Sequence, residues 1–240
     1  MPGDMTDNPL DNFIWSALSE EQAMFSIGDE HARRFDPAIG PLAGLRDLSP
    51  ESLAAFAQLV RTTGTAALGL TGITEDLPVP GTQILRGAEG VQMVFDGDAE
   101  ALSEFERASA DPRIVPLGES DYPEMLELAL LTEPGPFAER TGDLGQFWGV
   151  RENGRLLAMA GQRVRTASHV EVSGVCTRPE GRGKGYAALL SRRAAGAILA
   201  DGRCPLLHSY ADNETALALY RRLGFVERAR VRFTIYTPLP

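Results

Sequence analysis

The chain has 240 residues, 43% hydrophobic and 23% charged, which suits one large soluble globular domain or two small ones. A formal net charge of −10 disfavours a nucleic-acid partner, whose phosphates want a basic face. No apolar run approaches the roughly eighteen residues of a membrane span, and the acidic opening MPGDMTDNPLDN lacks the character of a signal or transit peptide.

In chain order, Ala23–Gly28 and His31–Phe35 read as a hairpin around Asp29–Glu30. Ser49 stands as an N-cap with Pro50 at the first helical position, followed by Leu53, Phe56, Ala57 and Val60 on one face. Thr65–Leu70 reads as a strand and Leu77–Gly81 as a Pro/Gly loop. Thr82–Leu85 and Val91–Phe95 are expected as a second hairpin flanking Gly87–Gly90. A short helix near Asp98–Arg107 leads to a boundary around Asp111–Pro112.

Beyond it, Ile114–Leu117 is a strand, and Tyr122–Leu131 and Phe137–Thr141 read as helices separated by Pro134-Gly135-Pro136. Gln146–Arg151 and Arg155–Arg165 are strands joined through Asn153-Gly154, a strong hairpin signal. His169–Thr177 is a strand, followed by a loop of six residues and a helix to about Ala200. Leu206–Tyr210 is a strand, Asn213–Leu223 a helix stopped by Gly224, and Phe225–Val231 and Arg232–Tyr236 two closing strands. The order predicts an α/β fold: residues 113–240 with a mixed central sheet and helices on both faces, preceded by a smaller α/β unit over 1–112.

Charge divides along the same line. Residues 1–112 carry 19 acidic and 6 basic side chains, whereas 113–240 carry 14 and 17. The acidic half reads as a solvated surface. The basic stretch Arg178, Arg182, Lys184, Arg192, Arg193, holding the chain's one lysine, suggests an anionic ligand. Cys176 and Cys204 lie in apolar strand segments without metal-ligand spacing, so the expectation is a reduced, cytoplasmic protein with no metal, no nucleic-acid partner and no membrane.

The segment Arg182-Gly-Lys-Gly-Tyr-Ala187 places glycines where a strand gives way to a helix. Glycine lets backbone N–H groups approach a ligand closely, and the helix start adds unpaired donors and a positive dipole end, which together suit a phosphate. A dinucleotide fingerprint fits poorly, because six residues separate strand from first glycine and the acidic residue about twenty positions on is missing. A P-loop fails because Lys184 is followed by Gly185 rather than Ser or Thr.

Glu171–Ala187 resembles the central motif of the GNAT acetyltransferases: Arg or Gln, two residues, Gly, one residue, then Gly or Ala. Arg182, Gly185 and Ala187 stand in those places. Asn213-x-x-Ala216-x-x-Leu219-Tyr220-x-x-x-Gly224-Phe225 is similar to the family's second motif at the expected distance. The resemblance covers roughly residues 113–240 and implies a GNAT fold.

It also implies acetyl-CoA as acetyl donor, transferred to a primary amine on a small molecule or peptide. The pyrophosphate would rest on the loop of Arg182, Gly183, Lys184, Gly185, Tyr186 and Ala187. The pantetheine arm would run beside Val175, Cys176 and Thr177 where the sheet splays near Gly174. Asn213 either touches that arm or only caps its helix. Tyr220 matches the family's general acid; a thiol pKa of about 8.5 makes a tyrosine hydroxyl sufficient. Glu171, eleven positions before Arg182, matches the place of a glutamate base, and His169 and His208 are further candidates. The first half, lacking this motif, is expected as a degenerate copy or accessory unit that shapes the acceptor cleft. The alternative is a catalytically inactive, acetyl-CoA-binding regulatory protein with a GNAT fold.

Overall fold

The computed structural model describes residues 8–239. The elements in order are α1 (Phe13–Ser19), β1 (Ser26–Gly28), β2 (Ala32–Phe35), β3 (Leu42–Leu45), α2 (Pro50–Thr63), β4 (Ala66–Thr71), β5 (Thr82–Phe95) and α3 (Ala99–Ser109). Then come β6 (Ile114–Leu117), α4 (Tyr122–Thr132), β7 (Phe147–Glu152), β8 (Arg155–Arg165), β9 (His169–Thr177), α5 (Tyr186–Ala200), β10 (Cys204–Tyr210), α6 (Glu214–Arg222) and β11 (Phe225–Pro238). No helix among the described residues is long and apolar enough to cross a membrane.

Local signals explain most of these elements. Ser49 Oγ accepts the Ser52 amide at the start of α2, with Pro50 as its first residue. Asp98 caps α3 through the amides of Glu100 and Ala101. Asn153 and Gly154 both take positive φ, 51° and 81°, which the tight β7–β8 hairpin requires.

Among the described residues the strands form one mixed sheet, in the order β1-β2-β3-β4-β11-β5-β10-β9-β8-β7-β6. Two parallel β-α-β units lie within it, β3-α2-β4 and β9-α5-β10. Each unit leads on to a long strand that crosses to the other half: β5 pairs with β10, β11 pairs with β4, and β5 and β11 pair with each other. The halves thus exchange strands about an approximate two-fold centred on β5 and β11. The turn Asp111–Pro112 falls between α3 and β6.

Helices cover both faces. Phe105 of α3, Leu190, Ala194 and Ile198 of α5, and Leu217 and Tyr220 of α6 share one core with Val91, Trp148, Val172 and Leu207. Met125, Leu128 and Ala129 of α4 join Leu156, Met159 and Cys176 in another. Each large apolar side chain so buried contributes on the order of 2 kcal/mol.

Three expectations are corrected. Residues 82–95 form one strand, not a hairpin: a Cβ on Gly90 would overlap the Phe233 ring, and one on Gly87 the Asp76–Arg232 pair, so these glycines admit β11's side chains rather than turn the chain. Residues 225–238 are likewise one strand, its irregularities at Glu227/Ala229 and Ile235/Tyr236 absorbed as bulges. Phe137–Thr141 forms no regular helix; the nearest is a short 3₁₀ turn over Thr141–Leu144.

Candidate active site

The parallel ladder between β9 and β10 runs only from His169–Cys204 to Glu171–Leu206. Beyond it β9 pairs with β8 alone, so the edge of residues 172–177 facing β10 is unpaired. The partner of Cys176 is Met159, but that of Ser173 is Gly161, which places one extra residue on β9. Gly174 sits in this bulge at φ 63°, and a Cβ there would stand 2.8 Å from Phe147 Cε1. The splay expected near Gly174 is therefore present.

A cavity of about 160 Å³ opens in the split. Val175, His208, Asn213 and Tyr220 line it from β9, β10 and α6; Leu42 and Ala67 of the first half and Phe233 and Ile235 of β11 complete the wall. Glu133–Pro136, the exit from α4, forms part of its lining.

At the end of the split lies the glycine loop. Gly183 and Gly185 adopt φ of 77° and 78°, with nothing within 4 Å of a built Cβ at either. Amides from Gly183 through Ala188 donate to no described residue, and the first bond of α5 is Leu189 N to Gly185 O. A row of free donors thus meets a helix N-terminus, the arrangement that holds a phosphate. In the first half the equivalent end of α2 is occupied by an acid. Asp47 accepts from the Ser49 amide at 3.0 Å and from Ser52 Oγ at 2.7 Å, and the bond from the Ser49 hydroxyl leads the effects holding its carboxyl well below the usual range. That negative charge stands where a phosphate would go.

Side chains of the basic stretch divide. Arg182 is exposed and forms no ion pair with a described residue. Lys184 Nζ binds both oxygens of Glu152 at 2.8 Å, and the Tyr186 hydroxyl meets the same carboxylate, so hairpin and loop are tied together. Arg178 is buried on Leu156 O and Glu127, Arg192 pairs with Glu104, and Arg193 stacks 4.3 Å from the Trp148 ring centroid. Those three serve packing.

Tyr220 is 8% exposed, and its hydroxyl bonds to no described residue. Burial is the main force raising its pKa, which keeps the phenol protonated. Asn213 Oδ1 accepts the Ala216 amide at 3.1 Å, a helix cap, while the residue also lines the cavity. Thr177 Oγ1 is buried without a partner. Cys176 points into the α4 core, where burial pushes its thiol up to about 12 and leaves it unreactive.

Glu171 is 1% exposed. Its carboxylate accepts from Arg163 Nε at 2.9 Å and Nη2 at 3.0 Å, and from His208 Nδ1 at 2.9 Å. Burial raises its pKa, but the Arg163 charge and the His208 bond outweigh that and bring it down to about 2. Gln92 Nε2 lies 3.2 Å from His208 Nε2, while its Oε1 accepts from Arg228. That orientation makes Nε2 of the imidazole the acceptor and leaves the proton on Nδ1, facing Glu171. His169 instead meets Ser168 Oγ and takes no part in lining the cavity.

Arg163, Gln92 and Arg228 were not anticipated. The available signal was Arg163 itself, a charge inside the largely buried strand Arg155–Arg165, where it demands a partner. Among the described residues no group of three His, Cys, Asp or Glu side chains is placed to hold a metal ion.

The family described as FR47-like protein matches residues 147–234, the strands and helices around the split. A GNAT-family protein of Novosphingobium aromaticivorans DSM 12444 is 42% identical and superimposes with a TM-score of 0.86, over 98% of this chain and 100% of its own. The chain belongs to the GNAT acetyltransferase family. A GCN5-related N-acetyltransferase of Kribbella flavida shares the fold at 14% identity and TM-score 0.60, over 96% of each chain. A GCN5-related N-acetyltransferase-like protein of Streptococcus suis 89/1591 shares it at 16% and 0.57, over 98% of this chain and 96% of its own. No curated protein matches the chain.

Proposed function

We infer that the protein is an acetyl-CoA-dependent N-acetyltransferase acting on a primary amine. Residues 113–240 would carry the chemistry, and 1–112 would wall the acceptor side. The observation that supports this best is the parting of β9 from β10, with the unpaired amides of the glycine loop following β9 in the chain.

The amides from Gly183 to Ala188 would hold the pyrophosphate, with Arg182 beside them. The free edge of Val175, Cys176 and Thr177 would take the amides of the pantetheine arm as an added strand. Acetyl-CoA bound in this way supplies the reactive thioester. Tyr220, protonated and unpartnered in the cavity, would give its proton to the departing sulfur. Because a thiol is only weakly basic, with a pKa of about 8.5, that demand is modest.

Glu171 has its oxygens engaged by Arg163 and His208, and the second ring nitrogen of His208 accepts from Gln92, so any part of Glu171 in deprotonating the acceptor would run through a water rather than by direct contact. Lys184, paired with Glu152, would steady the loop. Following CoA thiol release over a panel of primary amines tests this reading. Release with at least one amine, dependent on Tyr220, is expected. Tight acetyl-CoA binding with no release from any amine would favour the inactive regulatory protein instead.

A further inference from the structure

Glu133 ends α4 in the left-handed region, at φ 48° and ψ 55°. Glycine or asparagine ordinarily takes that place, because a Cβ is crowded there. Asn153, in its hairpin turn, is the other non-glycine residue at positive φ among those described. The position is also electrostatically adverse: the carboxylate stands at the negative end of the helix dipole, and the last turn of α4 holds no basic residue. Glu124 and Glu127 of the same helix pair with Arg151 and Arg178, whereas Glu133 forms no ion pair with a described residue. Glu133 is exposed and solvated, so it is the left-handed strain on a carboxylate at the cavity mouth that marks a functional position.

The cavity supplies the complement. Arg163, the cation in its lining, is already neutralised by Glu171, so Glu133 is the lining charge left without a partner among the described residues. Tyr210 and Phe233 bring aromatic rings to the same wall, edge to face at 6.2 Å, and such rings attract cations. Leu42, Ala67 and Ile235 are apolar. No unpaired Arg or Lys among the described lining residues answers a carboxylate. Arg86, which could, lies outside the lining and stacks over Tyr210 at 5.7 Å.

We propose that the acceptor is a cationic primary amine on a small apolar body without a carboxylate, recognised by Glu133 together with the carbonyl end of α4. Leu42, Ala67 and Ile235 form the side of the cavity that suits this body, opposite the wall of Val175, Asn213 and Tyr220 left to the pantetheine arm. The assignment rests on the acetyltransferase reading for its chemistry, but its recognition step stands apart from turnover.

Two measurements separate them. In steady-state assays with acetyl-CoA, phenethylamine should exceed phenylalanine, which differs by the carboxylate, by about tenfold or more in kcat/KM. Glu133→Gln should raise KM for phenethylamine about tenfold, the loss expected for one charge-assisted contact, with kcat and KM for acetyl-CoA held. Glu133→Gly should show the same KM increase while raising Tm by about 2–4 °C, because it relieves the left-handed strain. A purely structural Glu133 would show no KM change.

Calorimetric titration with phenethylammonium chloride, without acetyl-CoA, asks the recognition question directly. The expected result is binding to the native chain that is weakened about tenfold in Glu133→Gln. Equal or better use of phenylalanine, or equal phenethylammonium affinity in the two proteins, overturns the proposal. Amine binding with no thiol release for any amine would instead sink the acetyltransferase reading and leave Glu133 as a cation site. No amine binding and no release would overturn both.

Discussion

Glu171→Gln leaves the shape of the side chain and removes its charge from a buried position. The native carboxylate accepts two bonds from Arg163 and one from His208. Its pKa stands at about 2 against an ordinary 4.5, burial pulling up and the Arg163 charge with His208 pulling further down. That difference corresponds to about 3 kcal/mol of stability, from about 1.4 kcal/mol for each unit. A depressed carboxylate contributes fully above its unfolded pKa and loses the contribution as pH falls through the folded value. The stabilisation should therefore be complete above about 4.5 and vanish toward 2. Viewed from the partner, the same loss strands the Arg163 guanidinium, 13% exposed, without its counter-charge, and breaking a buried pair in this way costs a comparable amount, about 3–5 kcal/mol. For a chain of this length Tm should fall by roughly 10 °C. Urea denaturation of both proteins from pH 7 to pH 2.5 is the assay. The native chain should be about 3 kcal/mol the more stable at pH 7, with the gap closing below about pH 4. A gap under about 1 kcal/mol at pH 7, or one that does not narrow with acid, would refute the electrostatic account.

Tyr220→Phe keeps the ring in the core and removes the unpartnered hydroxyl, so kcat should fall about tenfold to a thousandfold while acetyl-CoA affinity holds; full activity would return the residue to packing alone. Gly90→Ala sets a methyl against Phe233 between β5 and β11 and should cost about 1–3 kcal/mol in urea, whereas an unchanged midpoint would mean that the exchanged strands have slack.

The second half of the chain is legible because its signals are local. Ile114–Leu117, Arg155–Arg165 and His169–Thr177 lie where their apolar runs put them, and Asn153-Gly154 marks its turn. What sequence could not reveal was partnership across the chain. The glycines at 87 and 90 look like a turn until Phe233 and Arg232 are seen packed over them, more than 140 positions later in sequence. Helix α1 escaped notice because it is seven residues long and Asn12 provides no capping bond, its amide donating instead to Leu45 O. Strand β3, Leu-Ala-Gly-Leu, is buried throughout and so shows no alternation.

The candidate site divides in the same way. Gly183, Gly185, Asn213 and Tyr220 were readable because motif spacing and helix boundaries are local properties. The occupation of Glu171 depends on Arg163 from the neighbouring strand and His208 from β10, and His208 depends on Gln92 from the other half. Strand exchange therefore hid the electrostatics of the site while leaving its glycine loop in view.

The central claim is that the loop before α5 holds acetyl-CoA, and calorimetric titration of native and Gly185→Val protein tests it most directly. Nothing lies within 4 Å of a Cβ at Gly185, so an added side chain meets only what binds there and the strain of φ 78°. The account predicts that the variant remains folded by circular dichroism and binds acetyl-CoA at least about tenfold more weakly, from loss of one or more charge-assisted amide contacts. Equal affinity in the folded variant would place the pyrophosphate elsewhere and contradict the claim.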